Sequence, residues 1–335
     1  MSAPRPSPVT PSSPESGRRQ VVLVVSPHAG RARRELPRVR AALDAAGLTV
    51  REEIPLSELH RVQPWLALPS AERPLIVAAG GDGTVGSVAD LLANGHAVLG
   101  ILPLGTSNDV ARSLDIPLDI RAAARLLANG PVSTVDLGHF RSADGTSRHF
   151  VHAAALGLNV AFARIATSAT VRRRLGRLTY LVAMATLLRE RRAFPCTLAL
   201  EVWSRRMRRV PEGPLHLVHL SVMNAPIFGG FFDLRLPGSD VDDRRLDVLA
   251  IEDVPLSRLV LVAVLIFLRR QPRIGGVHVF HTRRLHVHVD VPVEVSLDGE
   301  IIGHVPGDFL LVGEALRVIT GPRFIDVDGA ESGTP

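Results

Sequence analysis

The sequence predicts an α/β protein with two domains, and three observations support this prediction. Between residues 20 and 132, apolar runs of strand length alternate with segments of helical periodicity, which is the pattern of a parallel sheet covered by helices. After about residue 133 short strand patterns dominate, which indicates a mainly antiparallel second domain with the character of a β-sandwich. The length of 335 residues exceeds one ordinary domain, and 46% hydrophobic residues are enough for a substantial core.

The first domain is predicted from repeated strand and helix patterns. Its strands are expected at 21–26, 49–53, 75–79 and 98–104, and its helices at 34–46, 85–94 and 108–114. Ligands of parallel sheets bind at the carboxyl ends of the strands, so the loops that follow these strands are the first candidates for a site.

The second domain is predicted from short strands interrupted by two helices. The strands are expected at 132–139, 147–155, 196–203, 214–223, 246–251, 277–280, 284–290 and 292–297, and the helices near 172–191 and 256–269. We therefore predict an α/β domain over 20–132, completed by 308–327, and a β-rich domain over 133–307. Residues 1–19 are rich in Pro and Ser and lack an apolar core, as do 328–335, which predicts disordered tails rather than a signal peptide.

Composition excludes two classes of enzyme. No lysine occurs, and all 39 basic residues are arginine, whereas a Walker-A P-loop and a protein-kinase site each need a lysine at a fixed place. Cys196 is the only cysteine, which rules out an internal disulfide and fits a reducing cytosol. The net charge of +6 indicates either a solvated surface or attraction to anionic lipid or nucleotide. The longest apolar run, 259–268, is too short to span a bilayer.

The most informative motif is the loop Gly80-Gly81-Asp82-Gly83-Thr84, which follows an apolar strand and opens a helix. Glycines let backbone N–H groups approach a phosphate at the positive end of the helix. The carboxylate of Asp82 would repel that phosphate unless Mg²⁺ or a transferable proton offsets its charge. A plain strand-to-helix turn is the alternative interpretation.

A second loop follows one strand–helix unit later, with Gly105, Thr106, Asn108 and Asp109. Thr106 and Asp109 have capping-box spacing, so an ordinary helix cap explains this loop equally well by itself. Two such loops at one edge of a sheet favour a nucleotide site. A third loop, from Ser26 to Gly30, reaches the same edge and by itself is typical of a turn.

The order and spacing of these motifs resemble the diacylglycerol kinase catalytic-domain family, in its bacterial lipid kinase branch, which is related to sphingosine and ceramide kinases. The resemblance runs from about residue 20 to 322 and includes Leu297-Asp298-Gly299-Glu300 near the end. Supporting segments are 135–138, 156–157, 175–181 and 242–247. The family implies a three-layer α/β nucleotide domain, similar to those of phosphofructokinase and NAD kinase, followed by a mainly antiparallel β-sandwich.

The resemblance also implies a site. It assigns ATP contacts to Ser26, Gly30, Gly80, Gly81, Asp82, Gly83, Thr84, Val85, Gly86, Gly105, Thr106, Asn108 and Asp109. Asp82 would meet Mg²⁺ or the phosphates, and the Asp-Gly-Glu motif would carry the base that activates a lipid hydroxyl, with Glu300 the first choice and Asp298 the second. Without the family, Asp298-Gly299 predicts a hairpin turn, as does Asp144-Gly145.

The family further implies a structural Mg²⁺ held by the Asp243 carboxylate and by main-chain oxygens of Asp240 and Arg245, although a solvated turn would also explain this acidic loop. The chain departs from the family pattern at several positions. The family has glycine at Arg244 and an apolar residue at Arg245, asparagine at Ser26 and at Gly86, and glutamate at Ser87. Two cations at 244 and 245 disfavour the second metal ion. The absence of glutamate at 87 removes a charge near the nucleotide, which is expected to lower the rate or the metal affinity, although Ser26 and Ser87 can still form hydrogen bonds.

We therefore expect an ATP- and Mg²⁺-dependent kinase that transfers the γ-phosphoryl group to the hydroxyl of diacylglycerol or a similar lipid alcohol. We expect a cytoplasmic protein that has no nucleic-acid partner and that contacts the anionic inner face of the membrane transiently. Whether it forms a homodimer stays open. The arginine-flanked segment 172–192 could make the membrane contact or could be a packed helix. Two alternatives stay open: a kinase of NAD or another soluble hydroxyl compound, and a nucleotide- or lipid-binding relative with weakened catalysis.

Overall fold

The structure is a computed structural model of the chain. It describes residues 18–26, 30–158, 192–200, 213–225, 227–228, 234–235, 244–267 and 274–324. Among the described residues, no helix is both long enough and apolar enough to cross a bilayer.

The N-terminal part alternates strands and helices. Its elements are β1 (Arg19–Val25), α1 (Gly30–Ala45), β2 (Leu48–Pro55), a 3-10 helix (Leu56–Val62), α2 (Gln63–Leu66), β3 (Leu75–Gly80), α3 (Asp82–Leu92), β4 (Val98–Pro103), α4 (Asp109–Ser113) and α5 (Ile120–Asn129).

The strands of this part form a parallel sheet in the order β4-β3-β1-β2. In this order, β2 follows β1 toward one edge of the sheet, and β4 follows β3 toward the other edge. Right-handed crossovers in opposite directions place α1 and α3 on opposite faces of the sheet. Helices α1 and α5 contact each other, while α3 packs on β3 and β4, which gives the predicted three layers. The strand order reverses between β1 and β3, and sheets of this kind bind ligands at such a point.

The second part consists mainly of antiparallel strands. Its elements are β5 (Val132–Ser142), β6 (Ser147–Phe150), β7 (Ala153–Gly157), β8 (Phe194–Leu200), β9 (Leu215–Met223), β10 (Ile227–Phe228), β11 (Leu234–Arg235), β12 (Leu246–Glu252), α6 (Leu256–Phe267), β13 (Val277–Thr282), β14 (Arg284–His288), β15 (Val293–Leu297), β16 (Glu300–Val305) and β17 (Gly307–Ile319).

Strand β17 joins the two parts. Its first half pairs antiparallel with β14, and near its end Arg317 and Val318 pair in parallel with β4. Strand β5 runs antiparallel along most of the length of β17. Separate hydrophobic cores fill the α/β part and the sandwich, and in the sandwich core the rings of Phe140 and Phe309 lie 4.8 Å apart. The predicted domain boundaries stay predictions.

The structure differs from the predicted elements at three informative places. Helix α3 begins at Asp82 rather than at residue 85, because Gly81 adopts an extended conformation (φ −94°, ψ −171°) and serves as its N-cap. The single strand predicted over 147–155 is two strands, β6 and β7, separated by Val151 and His152. Helix α5 was not predicted, although the Asp119 carboxylate caps it by accepting the Ala122 N–H.

Candidate active site

The two glycine loops meet backbone to backbone. A Cβ atom on Gly105 would lie 2.5 Å from the Gly81 Cα, and one on Gly81 would lie 3.2 Å from the Gly105 Cα. Next to them the Leu104 N–H donates to the Gly80 carbonyl at 2.9 Å. The loops therefore need glycine because their backbones are in contact, whether or not a phosphate is bound. This contact sets the carboxyl ends of β3 and β4 side by side.

Asp82 ties the two loops together. It is the first residue of α3, and its Oδ1 accepts the N–H of Val110, in the first turn of α4, at 3.0 Å. As in any helix, the N–H groups of the first turn of α3 have no acceptor within the helix, so they are free to face an anion. Asp82 thus places one negative charge at the positive end of α3, which is a favourable position for a carboxylate.

The second loop is closed by Asn108. Its side chain accepts the Gly105 N–H at 2.9 Å and donates to the Gly105 carbonyl at 3.1 Å, and its backbone is left-handed (φ 52°). Asn108 is also the residue that precedes α4, so Thr106 is not the N-cap that the capping-box spacing indicates. Thr106 is exposed and Asp109 is buried, so only the former presents its side chain to solvent.

The other predicted ATP contacts in the α/β part lie at the same edge. The Ser26 N–H approaches the Ala79 carbonyl at 3.5 Å beyond the end of β1, and Gly30 begins α1. Thr84 is buried and packs over Gly80, where a Cβ atom would lie 2.2 Å from its hydroxyl oxygen. Val85 belongs to the hydrophobic core, so its side chain cannot contact a ligand at this edge.

Asp298 and Gly299 form the hairpin turn that their dipeptide predicts, between β15 and β16. Leu297 pairs with Glu300 across the turn, and both turn residues have positive φ, 48° for Asp298 and 88° for Gly299. Such a turn suits a two-residue hairpin loop because its twist matches that of the flanking strands. The hairpin turn predicted from the dipeptide and the predicted catalytic motif therefore lie on the same residues, and one does not exclude the other.

The Asp298 carboxylate is buried against the start of β7. It accepts the backbone N–H groups of Val151 at 2.9 Å, His152 at 2.9 Å and Ala153 at 3.1 Å, and the residue is only 7% exposed. Burial raises the pKa of Asp298, while the charge of His152 and the three N–H groups act in the opposite direction. These bonds explain why the chain breaks between β6 and β7, since N–H groups there serve a carboxylate instead of a strand.

The hairpin packs directly on α3. A Cβ atom on Gly86 would lie 2.3 Å from Asp298 Oδ2, and one on Gly83 would lie 3.3 Å from Glu300 Oε1. Gly83 and Gly86 are three residues apart and therefore lie on one helix face. The predicted nucleotide loop and the predicted catalytic motif thus meet, although they are far apart in the sequence. Glycine at residue 86, where the family has asparagine, leaves room for Asp298.

Arg148 also belongs to this junction, although no pattern in the sequence predicts it. From β6 its Nη1 lies 3.1 Å from Glu300 Oε2, and its Nη2 donates to Ser87 Oγ at 2.7 Å. Ser87 Oγ in turn donates to the Gly83 carbonyl at 2.9 Å. No local motif marks Arg148, because its partners come from α3 and from the Asp298 hairpin.

Asp90, one turn beyond Ser87, holds β6 against α3. Its Oδ1 accepts the His149 N–H at 2.7 Å and lies 2.9 Å from His149 Nδ1, while Arg148 Nε lies 3.9 Å from Oδ2. Burial opposes ionisation of Asp90, but the hydrogen bonds and charges of His149 and Arg148 outweigh it and lower the pKa of Asp90. Asp90 is therefore an ionised anchor for this strand.

The predicted second metal site falls mostly outside the described residues. Asp240 and Asp243 are not among them, so the site made by these residues and Arg245 stays a prediction. Within the described part of the chain, no group of three or more His, Cys, Asp or Glu residues is placed to hold a metal ion. Arg244 has a positive φ of 56°, which accounts for glycine at this position in the family pattern, and its N–H donates to Asp136 Oδ2 at 3.1 Å.

Helix α3, which follows the first glycine loop, packs on an acidic hairpin of the β-sandwich, and the second glycine loop contacts the first. An anion-binding helix end beside carboxylates is an arrangement that suits a phosphotransferase. The comparisons with known proteins identify the family. Residues 20–140 match the diacylglycerol kinase catalytic domain, and residues 153–320 match the YegS C-terminal NAD kinase beta sandwich-like domain. The chain belongs to the diacylglycerol kinase catalytic-domain family and is a lipid kinase.

Relatives and solved structures agree with this assignment. A diacylglycerol kinase of Bacillus subtilis (strain 168) is 30% identical over 253 residues, which span 74% of this chain and 78% of that protein. A diacylglycerol kinase of Mycobacterium tuberculosis (strain ATCC 25618 / H37Rv) is 29% identical over 272 residues, spanning 80% of this chain and 84% of that protein. A crystal structure of a diacylglycerol kinase from Bacillus anthracis str. Sterne superposes with a TM-score of 0.63 at 19% identity, covering 93% of this chain and 100% of that one. The predicted family and fold class are thereby confirmed.

Proposed function

We propose that this lipid kinase transfers the γ-phosphoryl group of ATP, with Mg²⁺, to the hydroxyl of diacylglycerol or a lipid alcohol of similar shape. The observation that carries the proposal is the junction at Gly83, where the first turn of α3 meets the Glu300 carboxylate. This junction puts a phosphate-binding helix end beside a proton acceptor, which are the two groups that phosphoryl transfer to an alcohol requires. The bacterial relatives named diacylglycerol kinase support the choice of acceptor.

ATP is proposed to lie across the loops 26–30, 80–86 and 103–109, with its phosphates toward the first turn of α3. The exposed Thr106 side chain and the N–H groups of that turn are the groups that can contact it. Asp82 fits Mg²⁺, because Mg²⁺ prefers one or two carboxylates together with phosphate oxygens and water. When bound, Mg²⁺ offsets the charge on the transferred phosphoryl group.

Glu300 is proposed as the proton acceptor, and Asp298 as the residue that holds it in place. The Asp298 carboxylate is occupied by three backbone N–H groups and is buried, so a lipid hydroxyl has poor access to it. The Glu300 side chain is 42% exposed, and its Oε1 lies against Gly83. Geometry therefore favours Glu300, because a general base must come within hydrogen-bond reach of the proton that it accepts.

A peripheral contact with an anionic membrane surface is part of the proposal. Helix α6 exposes Leu256, Leu261 and Val264, each close to half of its surface, and Arg258 lies on the same helix. Exposed apolar side chains beside a cation suit the interface of an anionic bilayer. The segment 172–192, for which the sequence leaves open either the same role or a packed helix, lies almost entirely outside the described residues.

The test is an acceptor panel with γ-labelled ATP and Mg²⁺. Dioleoylglycerol, sphingosine and NAD are offered with and without vesicles of anionic phospholipid, and EDTA replaces Mg²⁺ in a parallel series. We expect label in dioleoylglycerol, more with vesicles, and none with EDTA. Label in NAD alone would establish the soluble-substrate alternative, and tight ATP binding without any transfer would establish the weakened relative.

A charge-removing variant tests the site itself. Asp82→Asn keeps an oxygen that can accept the Val110 N–H but removes the negative charge, so the fold should persist while turnover falls by about 10²–10³-fold. Asp144→Asn, on an exposed turn, is the matched control and should retain full turnover. Unchanged lipid phosphorylation by Asp82→Asn would contradict the proposed role of this carboxylate.

A further inference from the structure

Among the described contacts, Arg148 is the cation nearest to Glu300, the proposed base. Each nitrogen of its guanidinium lies near an oxygen atom. Nη1 faces Glu300 Oε2 at 3.1 Å, Nη2 donates to Ser87 Oγ at 2.7 Å, and Nε lies 3.9 Å from Asp90 Oδ2. Its side chain is only 24% exposed. A planar guanidinium that meets acceptors on several edges has little freedom to turn, so it can act as a rigid support.

The anchor for this support is built into α3 and β6. Asp90 accepts both the backbone N–H and the ring N–H of His149, which follows Arg148 on the strand. Ser87 lies one turn before Asp90 and donates its hydroxyl hydrogen to the Gly83 carbonyl, so its oxygen is available to accept from Arg148. The guanidinium is thus fixed relative to the same helix turn that carries Asp82.

Glu300 needs such a support. It is the first residue of β16, which among the described strands pairs only with β15, at the end of the sheet, and its side chain is 42% exposed. An exposed glutamate loses up to about 2 kcal/mol of rotamer entropy when it is held in one conformation. Arg148 engages Oε2, and this leaves Oε1 as the oxygen that lies over Gly83.

We propose that Arg148 is a positioning residue for catalysis: it fixes Glu300 by Oε2 so that Oε1 faces the phosphate-binding turn of α3 and accepts the proton of the lipid hydroxyl. This inference rests on the proposed role of Glu300 as the base. In the step itself the hydroxyl proton moves to Oε1, the lipid oxygen forms a bond to the γ-phosphorus, and the bond from that phosphorus to the β,γ-bridging oxygen breaks to release ADP.

The neutral side chain of Ser87 matters for the ion pair between Arg148 and Glu300. A glutamate there, as in the family pattern, would offer Arg148 a second carboxylate and compete with Glu300 for the guanidinium. The neutral serine accepts one hydrogen bond and leaves the ion pair with Glu300 intact. We therefore expect Ser87→Glu to lower kcat, and Ser87→Ala, which removes only a neutral acceptor, to lower it less. A higher kcat for Ser87→Glu would overturn this part of the inference.

The first experiment separates positioning from substrate binding. Arg148→Met should lower kcat by about 10–100-fold, because small displacements of a catalytic group have effects of this size. The KM for ATP should stay within about 2-fold, since Arg148 is held by the protein rather than by the nucleotide. Arg141→Met is the matched control: it removes an exposed arginine from the neighbouring strand β5 and should keep wild-type kinetics. A rise in the KM for ATP with unchanged kcat would overturn the proposal.

The second experiment is a double-mutant cycle with Glu300→Gln. If Arg148 acts through Glu300, the variant carrying both changes is no slower than Glu300→Gln alone. Millimolar guanidinium should partly restore the turnover of Arg148→Ala but not that of Arg148→Ala combined with Glu300→Gln. Additive losses in the cycle, or equal rescue in both backgrounds, would overturn the positioning role.

The experiments distinguish a failure of the proposed function from a failure of the positioning role. If Glu300→Gln alone retains wild-type turnover, the assignment of the base is wrong, whatever Arg148 does. If Glu300→Gln is impaired and the cycle is additive, the base assignment stands and only the positioning role fails. Thermal unfolding of every variant identifies any that lose activity through loss of fold, and for such a variant Arg148→Lys, which keeps the charge, replaces Arg148→Met in the cycle.

Discussion

Two hairpin turns of this chain are built on the same dipeptide and use its aspartate in opposite ways. Asp144-Gly145 joins β5 to β6, and Asp298-Gly299 joins β15 to β16. Asp144 is exposed, and its Oδ1 accepts the Thr146 N–H of its own turn at 2.9 Å. Asp298 is buried and accepts three N–H groups from a different segment, at the start of β7.

The glycines of the two turns are equivalent, so the difference lies in what covers the aspartates. Gly145 and Gly299 both have positive φ, and a Cβ atom on either would meet nothing within 4 Å. Over Asp298, however, lies helix α3, with Gly86 against its carboxylate. A turn motif thus becomes part of the candidate site when a second element packs on it, and the dipeptide itself carries no sign of this.

The largest expected effect is the loss of stability on replacing Asp298, for which the same change at Asp144 is the control. Asp298→Ala leaves three N–H groups near the protein interior without their acceptor, and each such group costs about 1–3 kcal/mol, so we expect the free energy of unfolding to fall by about 3 kcal/mol or more. Asp144→Ala removes a bond within an exposed turn and should leave the urea midpoint nearly unchanged. Urea unfolding followed by circular dichroism measures both. Equal midpoints for the two variants would mean that burial does not distinguish the turns.

The next largest effect is expected from replacing Gly86, which packs against Asp298, and the matched change is at Gly145, which follows Asp144. Gly86→Ala places a methyl group 2.3 Å from the Asp298 carboxylate, and overpacking of this kind costs about 1–3 kcal/mol. Because the hairpin must shift, turnover should fall as well. Gly145→Ala adds only backbone strain of about 1–2 kcal/mol, with no contact to relieve, and should leave kcat unchanged. Stability and kcat are measured on both variants, and full turnover by Gly86→Ala would contradict the packing of the hairpin on α3.

The sequence predicts those parts of the site that are local in the chain. The loops at Gly80 and Gly105 are predictable because glycines between an apolar strand and a helix are a pattern within a few residues. The turn at Asp298 is predictable for the same reason, from its dipeptide. The place of Arg148 in this cluster is not, because its partners lie on α3 and β16 and meet only when β6 packs on α3.

Strands, too, are predictable only where the pattern that defines them is local in the sequence. The parallel strands were predictable because buried strands are continuous apolar runs. Strand β17 was not predicted as a strand, although it pairs with β14, β5 and β4, because its thirteen residues mix exposed and buried positions without a simple alternation. Its place in the sheet is set by partners that are distant in sequence.

The smallest and most specific effect is on protonation. Hydrogen bonds from the Thr146 backbone and hydroxyl, then from Ser142, lower the pKa of Asp144 below 3.8, whereas burial raises the pKa of Asp298 above 3.8. Side-chain carboxyl ¹³C shifts recorded against pH, with Asp144→Asn and Asp298→Asn to assign the signals, should therefore show midpoints on opposite sides of 3.8. Two midpoints on the same side would contradict the comparison.

The same pKa directions fix how each turn contributes to stability. The folded state holds the Asp298 proton to higher pH than the unfolded chain does, so this contribution is complete below pH 3.8 and is lost as the pH rises through the folded pKa. The contribution of Asp144 is complete above pH 3.8 and is lost as the pH falls through its lower folded pKa. Comparing unfolding free energies of wild type and each Asn variant across this range separates the two, since the variants must change the slope with pH in opposite directions.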